Sequence, residues 1–269
     1  MKLFCNGAYY HLKIHQNKRP LPYLMFFHGF MGSSKAFEPL APRLLQSCNP
    51  VTIDLLGHGS TLAEKDPERF TAQKQVCDII SMLDRLQLPN LFLYGYSMGG
   101  RLAQQVAVRN SSRLSGLLLE STHCGIEDPA ERKKRAETDR KRAKKIEEDF
   151  ERFLEQWAAL PLFESPGGAS DFSYRPILNS QKPELMAASL VGFGAGAMPP
   201  VCDKLKTLNL PLGMIAGSAD QKYVDKMGEM AQLCPGAIFE SIDSAGHRVH
   251  ADRPEATAKF ITQFLEDHG

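Results

Sequence analysis

Three residues that could together perform nucleophilic catalysis occur in the chain in the order Ser97, Asp220 and His247. The serine lies in Gly95-Tyr96-Ser97-Met98-Gly99, a Gly-x-Ser-x-Gly pattern typical of a sharp strand-to-helix turn that exposes the hydroxyl. A histidine can take the proton of such a serine, and an acid can fix the histidine tautomer and stabilise the imidazolium. We therefore predict that Ser97, Asp220 and His247 form a catalytic triad.

The turn at Ser97 also predicts a place for negative charge. The apolar run before it is typical of a buried strand, and the residues after it are good helix formers. The Met98 amide would then lie at a helix N-terminus, where backbone donors face developing negative charge. Met98 is therefore a predicted oxyanion donor.

The rest of the chain alternates apolar strands with amphipathic helices, which predicts a mostly parallel sheet with helices on both faces. A hairpin is expected over residues 4–14 and buried strands at 23–27, 50–54, 91–96, 114–119, 210–217 and 237–242. Helices are expected at 35–46, 68–86, 98–108, 224–233 and 254–265. The fold class is therefore α/β.

Several polar residues follow these strands without an obvious catalytic role. His28, Asp54 and Glu120 fall at the carboxyl edge of the predicted sheet, beside Ser97. Since His247 is better placed to act as the base, His28 is interpreted as structural. Asp54 with His58 is attributed to turn geometry. His250 is a rival base but is interpreted as a structural residue.

The alternating pattern stops near residue 125. Residues 131–150 are strongly charged and helical, with Asp128-Pro129 as the helix start, and an apolar stripe follows Phe150. Residues 166–170 predict a loop, 183–190 a short helix and 192–200 a mobile connection. We predict a helical cap over 125–206, inserted into a core formed by 1–124 and 207–269.

Composition excludes some classes of function. The 269 residues carry a formal net charge of +1, so no global field favours nucleic acid or a membrane surface. We expect no signal peptide, no membrane span and no bound metal. The six cysteines are scattered, which favours free thiols in a reducing cytoplasm over disulfides. The sequence does not determine the oligomeric state, and a monomer is the simplest expectation.

Taken together, the Ser97 turn, the late acid and histidine, and His28-Gly29-Phe30 after the strand at 23–27 resemble the α/β-hydrolase superfamily over nearly the whole chain. The resemblance implies that the Phe30 amide is the second oxyanion donor.

Within that superfamily the chain resembles the 2-succinyl-6-hydroxy-2,4-cyclohexadiene-1-carboxylate synthases of menaquinone biosynthesis. The motifs are His28-Gly-Phe-Met-Gly-Ser33, Gly95-Tyr-Ser-Met-Gly-Gly-Arg101, Glu120, Glu131-Arg-x-x-Arg135, Trp157 before Pro161-Leu-Phe163, Asp220-x-Lys222 and Gly246-His-x-x-His250. The resemblance implies pyruvate elimination from a polyanionic cyclohexene carboxylate without a cofactor. It implies that Arg101 and Arg135 bind carboxylates and that Tyr96 and Trp157 line the pocket.

The chain departs from that family at one point. A further cap arginine is often found on the helix placed at 183–190, where this chain has Ala187-Ala188-Ser189. Lys222 or Arg132 could supply the missing contact, or the substrate could differ. Two alternatives therefore stay open: a serine carboxylesterase or related C–C or thioester hydrolase, and a hydrolase-like protein that binds without catalysis.

Overall fold

The computed structural model describes residues 1–166 and 173–269. Its strands are β1 (Lys2–Cys5), β2 (Ala8–Ile14), β3 (Tyr23–Phe27), β4 (Asn49–Ile53), β5 (Leu91–Tyr96), β6 (Gly116–Glu120), β7 (Leu212–Gly217) and β8 (Ile238–Ile242). Its α-helices are α1 (Ala72–Leu86), α2 (Met98–Asn110), α3 (Pro129–Glu148), α4 (Phe150–Ala158), α5 (Arg175–Asn179), α6 (Pro183–Phe193), α7 (Cys202–Lys206), α8 (Gln221–Leu233), α9 (Val249–Asp252) and α10 (Pro254–His268).

The strands form one sheet in the order β1-β2-β4-β3-β5-β6-β7-β8. The hairpin β1–β2 is antiparallel and joins β4 antiparallel, while the pairs from β4 through β8 are all parallel. The predicted α/β class is confirmed. Because the parallel strands end at the same edge, the loops after β3, β5, β6, β7 and β8 are brought together there.

Side-chain alternation along the central strands builds a core on each face of the sheet. In β3, Met25 and Phe27 pack into one cluster, and Leu24 and Phe26 pack into the other. All five residues of β3 are buried. Such a continuously apolar strand is expected where helices cover both faces.

Five α-helices, α3 to α7, lie between β6 and β7 within the described ranges. The predicted start of the charged helix is confirmed, because the Asp128 side chain accepts the Glu131 N–H and Pro129 begins α3. The charged run ends at Asp149, whose side chain caps the next helix, α4. The division into a core and a cap over 125–206 stays a prediction of organisation, and most of the predicted 166–170 loop lies outside the described residues.

Two predicted helices are interrupted. Residues 35–46 form two short 3₁₀ helices, Ser34–Phe37 and Ala41–Leu44, in place of one α-helix. Pro39 and Pro42 cannot donate the backbone hydrogen bonds that a continuous helix requires. Similarly, the helix expected from residue 68 begins as the 3₁₀ helix Pro67–Phe70 and continues as α1.

The connection over 192–200, for which mobility was predicted, is closely packed in the structure. It is packed against α3: a Cβ atom added to Gly196 would lie 2.2 Å from the backbone nitrogen of Ala136. The α3 and α6 helices are also in extensive contact. Gly196 therefore permits close approach between this connection and α3.

The prediction of six free thiols is also wrong. Cys124 and Cys202 form a disulfide, whereas Cys5, Cys48, Cys77 and Cys234 are free. The two bonded cysteines are 78 residues apart in sequence. They meet because the chain leaves the sheet after β6 and returns at α7, where the Val201 N–H donates to the Cys124 carbonyl at 2.8 Å. No helix of the described residues is long and apolar enough to cross a membrane.

Candidate active site

The Ser97 turn joins β5 to α2 with a backbone conformation that is unusual for a residue with a side chain. Ser97 has φ 51° and ψ −110°, in a region that costs on the order of 1–3 kcal/mol and is concentrated at functional sites. Close packing around it requires glycine. A Cβ on Gly99 would lie 2.1 Å from the Phe27 carbonyl oxygen, and one on Gly95 would lie 2.5 Å from the Gly100 Cα.

Ser97, His247 and Asp220 form one hydrogen-bonded chain. The His247 Nε2 atom lies 3.2 Å from the Ser97 Oγ atom, and His247 Nδ1 lies 2.7 Å from Asp220 Oδ2. His247 and Asp220 are buried, while Ser97 is partly exposed. With Nδ1–H donating to the carboxylate, Nε2 is left to accept the serine proton.

The acid and the histidine are held by the loops after β7 and β8, two neighbouring parallel strands. The Ala219 N–H donates to the Ala245 carbonyl at 3.0 Å, and the Ser218 N–H donates to the Ile242 carbonyl at 2.9 Å. These backbone bonds fix the spacing of the two loops and therefore of the Asp220 and His247 side chains.

Phe30 and Met98 both line the pocket at Ser97. Among the described residues, neither backbone N–H donates to a protein acceptor. Met98 is the first residue of α2, so its amide has no partner within the helix. Two unused N–H groups beside a serine are suited to donate hydrogen bonds to a developing oxyanion.

Arginines from two helices reach the same pocket. Arg101 of α2 is buried, donates to the Phe193 carbonyl at 3.1 Å, and has its guanidinium 5.4 Å from the Phe193 ring centroid. Burial, and secondarily the charge of Arg135, lower the pKa of Arg101 to about 10. It therefore stays charged at neutral pH, and an anion in the pocket would restore the interactions lost on burial.

Arg135 lies on α3 together with a cation that the sequence did not single out, Arg142. Both pair with the buried Asp139 carboxylate, at 2.9 Å from Arg135 and 3.6 Å from Arg142. Both line the pocket. Arg135 and Arg142 thus share one carboxylate, and we call these two residues, together with Arg101 in the same pocket, the Asp139 cation group.

Aromatic side chains line much of the remaining wall. Trp157 contacts Phe30 and Phe163, each with ring centroids 5.5 Å apart. Tyr96 lies 5.4 Å from the His247 ring, and Tyr223 lies 4.6 Å from it on another side. Lys222 also lines the pocket. The predicted residues Tyr96, Trp157 and Lys222 are therefore brought to Ser97.

His250 belongs to a buried network behind the triad. Its Nδ1 atom lies 2.8 Å from the Glu120 carboxylate, and its backbone N–H donates to the same carboxylate at 3.1 Å. Its Nε2 atom contacts the Tyr174 hydroxyl. Tyr94 also donates to Glu120. This network ties the loop that carries His247 to the end of β6, in agreement with the structural role predicted for His250.

His28, Asp54 and His58 are held in turn contacts, as predicted. The Leu55 N–H donates to His28 Nε2 at 3.0 Å, and the Asp54 carboxylate accepts the Ser34 and Ser60 N–H groups. Hydrogen bonds from these amides lower the pKa of Asp54 although burial opposes the shift. His58 Nδ1 contacts the Leu56 carbonyl at 2.9 Å.

The part of α6 where the sequence lacks the expected cap arginine borders the pocket. Ser189 is buried in α6, with its Oγ atom 4.0 Å from the Met98 sulfur. Of the two substitutes considered from the sequence, Lys222 lines the pocket, whereas Arg132 donates to the Ile126 carbonyl at 3.3 Å and is not among the lining residues.

Six polar residues of the pocket lining were not predicted from the sequence: Thr122, His123, Arg142, Tyr174, Tyr223 and Arg248. His123 lies in the loop that follows β6, and its Nδ1 atom accepts the Gly125 N–H at 3.1 Å. Burial, helped by the charge of Arg101, lowers the pKa of His123 to about 3, so the imidazole is neutral. Only Arg248, adjacent to His247, carried a sequence signal that could have been used.

Comparison with known proteins agrees with this geometry. Residues 24–260 match the alpha/beta hydrolase family, and the chain belongs to that family. A relative from Bacillus subtilis (strain 168), 36% identical with 88% of each chain covered, is named a putative 2-succinyl-6-hydroxy-2,4-cyclohexadiene-1-carboxylate synthase. A synthase of the same name from Salmonella paratyphi C is 26% identical over 91% of this chain and 94% of its own. The structure of MenH from S. aureus is 30% identical, with a TM-score of 0.89 over 96% of this chain and 98% of that one.

Proposed function

We propose that this protein is a 2-succinyl-6-hydroxy-2,4-cyclohexadiene-1-carboxylate synthase. It would eliminate pyruvate from 2-succinyl-5-enolpyruvyl-6-hydroxy-3-cyclohexene-1-carboxylate. The observation that carries the proposal is the placement of Arg101 and Arg135 in the same pocket as the Ser97–His247–Asp220 chain. A generic esterase needs no buried cations beside its serine, whereas a polyanionic substrate does.

The reaction begins with proton transfer from the substrate ring. His247 accepts the Ser97 proton as Ser97 Oγ takes the ring proton next to the succinyl carbonyl, and Asp220 stabilises the resulting imidazolium. The electrons pass through the succinyl enolate, whose oxygen the Phe30 and Met98 amides stabilise. They then shift the ring double bond and break the carbon–oxygen bond to the enolpyruvyl group. Enolpyruvate leaves and takes up a proton to become pyruvate, so no acyl-enzyme forms.

The cations have a separate task. The Asp139 cation group presents guanidinium forks that match carboxylate geometry. Because these arginines are positioned before the substrate arrives, they hold it with the reacting carbon near Ser97 at little reorganisation cost. Trp157 and Phe163 would exclude water from the ring face. Metal and cofactor are not required by this route, and a cytoplasmic location stays a prediction.

A paired assay tests the proposal. One arm follows pyruvate release from the enolpyruvyl cyclohexene carboxylate generated in situ, and the other follows hydrolysis of a short p-nitrophenyl ester. We expect fast pyruvate release and negligible ester cleavage. The reverse result would support the serine hydrolase alternative, and inactivity in both arms would favour a binding protein. Ser97→Ala serves as the blank in each arm.

A further inference from the structure

Arg248 is a cation of the pocket that the triad does not use. It directly follows His247 and is the N-cap residue of the short helix α9. Its guanidinium lies between two aromatic rings, 4.1 Å from the Phe163 centroid and 3.9 Å from the Tyr174 centroid. Both rings also line the pocket. A cation held between two ring faces is oriented without its charge being neutralised.

The charge of Arg248 has no carboxylate partner within ion-pair distance in residues 1–166 and 173–269. Asp252, the nearest acid along the chain, accepts from the Ser165 hydroxyl and from the Gly246 N–H. By contrast, Arg135 and Arg142 both pair with Asp139. Arg248 is therefore a partly buried cation whose electrostatic partner is not supplied by the described part of the chain.

Arg248 and Tyr96 line the same pocket as Ser97 and His247. Burial raises the pKa of the Tyr96 phenol well above its usual value, and the Arg248 guanidinium opposes that rise through its charge and a hydrogen bond. Tyr96 precedes Ser97 and lies against the His247 ring. The guanidinium thus sits beside the triad, where a fork of N–H donors could meet an anionic group of a bound ligand.

Arg248 is distinct from the Asp139 cation group. Within that group, Arg101 lies on α2, and Arg135 and Arg142 lie on α3 and share the Asp139 carboxylate. Arg248 instead comes from the loop after β8 and is held by Phe163 and Tyr174. The pocket is therefore lined by cations from two separate parts of the structure, α2 with α3 and the loop after β8.

We propose that Arg248 binds a carboxylate of the substrate and is a specificity-determining residue. This inference rests on the proposed function, whose substrate carries carboxylates on the ring, the succinyl arm and the enolpyruvyl arm. A single cation group is poorly suited to bind all three carboxylates, because they are attached through different ring carbons. Arg248 would take a carboxylate that the Asp139 cation group does not reach.

The first test compares Arg248→Met, Arg248→Lys and the matched control Arg140→Met, an exposed arginine on α3. For Arg248→Met we expect KM for the enolpyruvyl substrate to rise on the order of 10- to 100-fold, with kcat changed only a few-fold. Arg248→Lys should recover part of the loss, and Arg140→Met should match the wild type. A fall in kcat at constant KM, or no change, would overturn the proposal. Thermal melting of each variant separates these outcomes from misfolding.

A second readout does not depend on turnover. Trp157 is the only tryptophan in the chain and lines the pocket, so its fluorescence can report binding of 2-succinylbenzoate and of its uncharged diamide. The wild type should bind the dianion more tightly, and Arg248→Met should reduce that preference, because only the cations of the Asp139 cation group then remain. If the wild type fails to release pyruvate yet shows this preference, the proposed reaction is wrong and the anion site stands. Equal binding of both probes by the wild type would overturn the anion site itself.

Discussion

The His247 Nε2 atom lies 3.2 Å from the Ser97 Oγ atom, across 150 residues of sequence. The partner atom Nδ1 is held by Asp220, so the nitrogen facing the serine is the one free to accept a proton. In the proposed reaction this hydrogen bond would let Ser97 act as a base at neutral pH, where a free serine hydroxyl would be inert.

Ser97→Ala should reduce pyruvate release by several orders of magnitude, because residues of a triad act as a unit. The fold should be retained, since only one oxygen atom is removed from a side chain that is partly exposed. Steady-state rates and thermal melting of the same preparation check both statements. Wild-type turnover in Ser97→Ala would eliminate the triad assignment.

Arg101→Met should weaken substrate binding more than it weakens the fold. We expect KM to rise on the order of 10- to 100-fold from loss of a charge-assisted contact. The free energy of unfolding should change by less than about 1 kcal/mol, because relief of the buried charge offsets the lost hydrogen bond to Phe193. Arg109→Met, an exposed arginine on the same helix, is the control. A large loss of stability would mark Arg101 as mainly structural.

Stability should fall in mild acid because of buried neutral histidines. Burial lowers the pKa of His58 to about 3, and burial also lowers the pKa of His28. In the unfolded chain a histidine has a pKa of about 6.5, so the unfolded chain binds the proton more readily than the folded protein does. Unfolding therefore becomes easier as pH falls below that value. The slope is about 1.4 kcal/mol per pH unit for each such histidine.

Urea unfolding at pH 7 and pH 5 checks this expectation. The wild type should lose stability between the two, and His58→Gln should lose about 2 kcal/mol less because one of the titrating groups is gone. His268→Gln, at an exposed position, should behave as the wild type does. Equal pH dependence in wild type and His58→Gln would show that His58 is already accessible to protons in the folded protein.

Glu120→Ala should be strongly destabilising. The carboxylate is fully buried and bonds both His250 and Tyr94. Removal of one partner from such a network typically costs about 3–5 kcal/mol. Denaturant unfolding measures the loss, with the exposed Glu229→Ala as control. Activity should fall together with stability, because His250 supports the loop that carries His247. A variant as stable as the wild type would contradict the network.

The disulfide can be checked by thiol titration. Protein purified without reductant should present four reactive thiols when denatured, matching Cys5, Cys48, Cys77 and Cys234. Reduction should raise the number to all six cysteines of the chain. In the native protein, the exposed Cys77 should react first, because burial raises the pKa of Cys48 to about 12. Six thiols without reduction would show that Cys124 and Cys202 are not bonded.

Much of this structure could be predicted from local sequence patterns. The strand at Tyr23–Phe27, the turn at Ser97 and the Asp128 cap of α3 could all be predicted, because each depends on residues adjacent in sequence. The order of Ser97, Asp220 and His247 identified their grouping, since the carboxyl ends of parallel strands share one edge of the sheet. Where local patterns failed, as at residues 35–46, two prolines altered the helix type.

Contacts between distant segments were decided only by the tertiary structure. Periodicity cannot say which arginines of a charged helix turn inward, so Arg142 was missed. The placement of Arg248 depends on Phe163 and Tyr174, which belong to the segment between β6 and β7. The Cys124–Cys202 disulfide and the packing of Gly196 on α3 have the same origin. The physical reason is that these pairs depend on how the segment between β6 and β7 returns to the sheet, and no local propensity encodes that path.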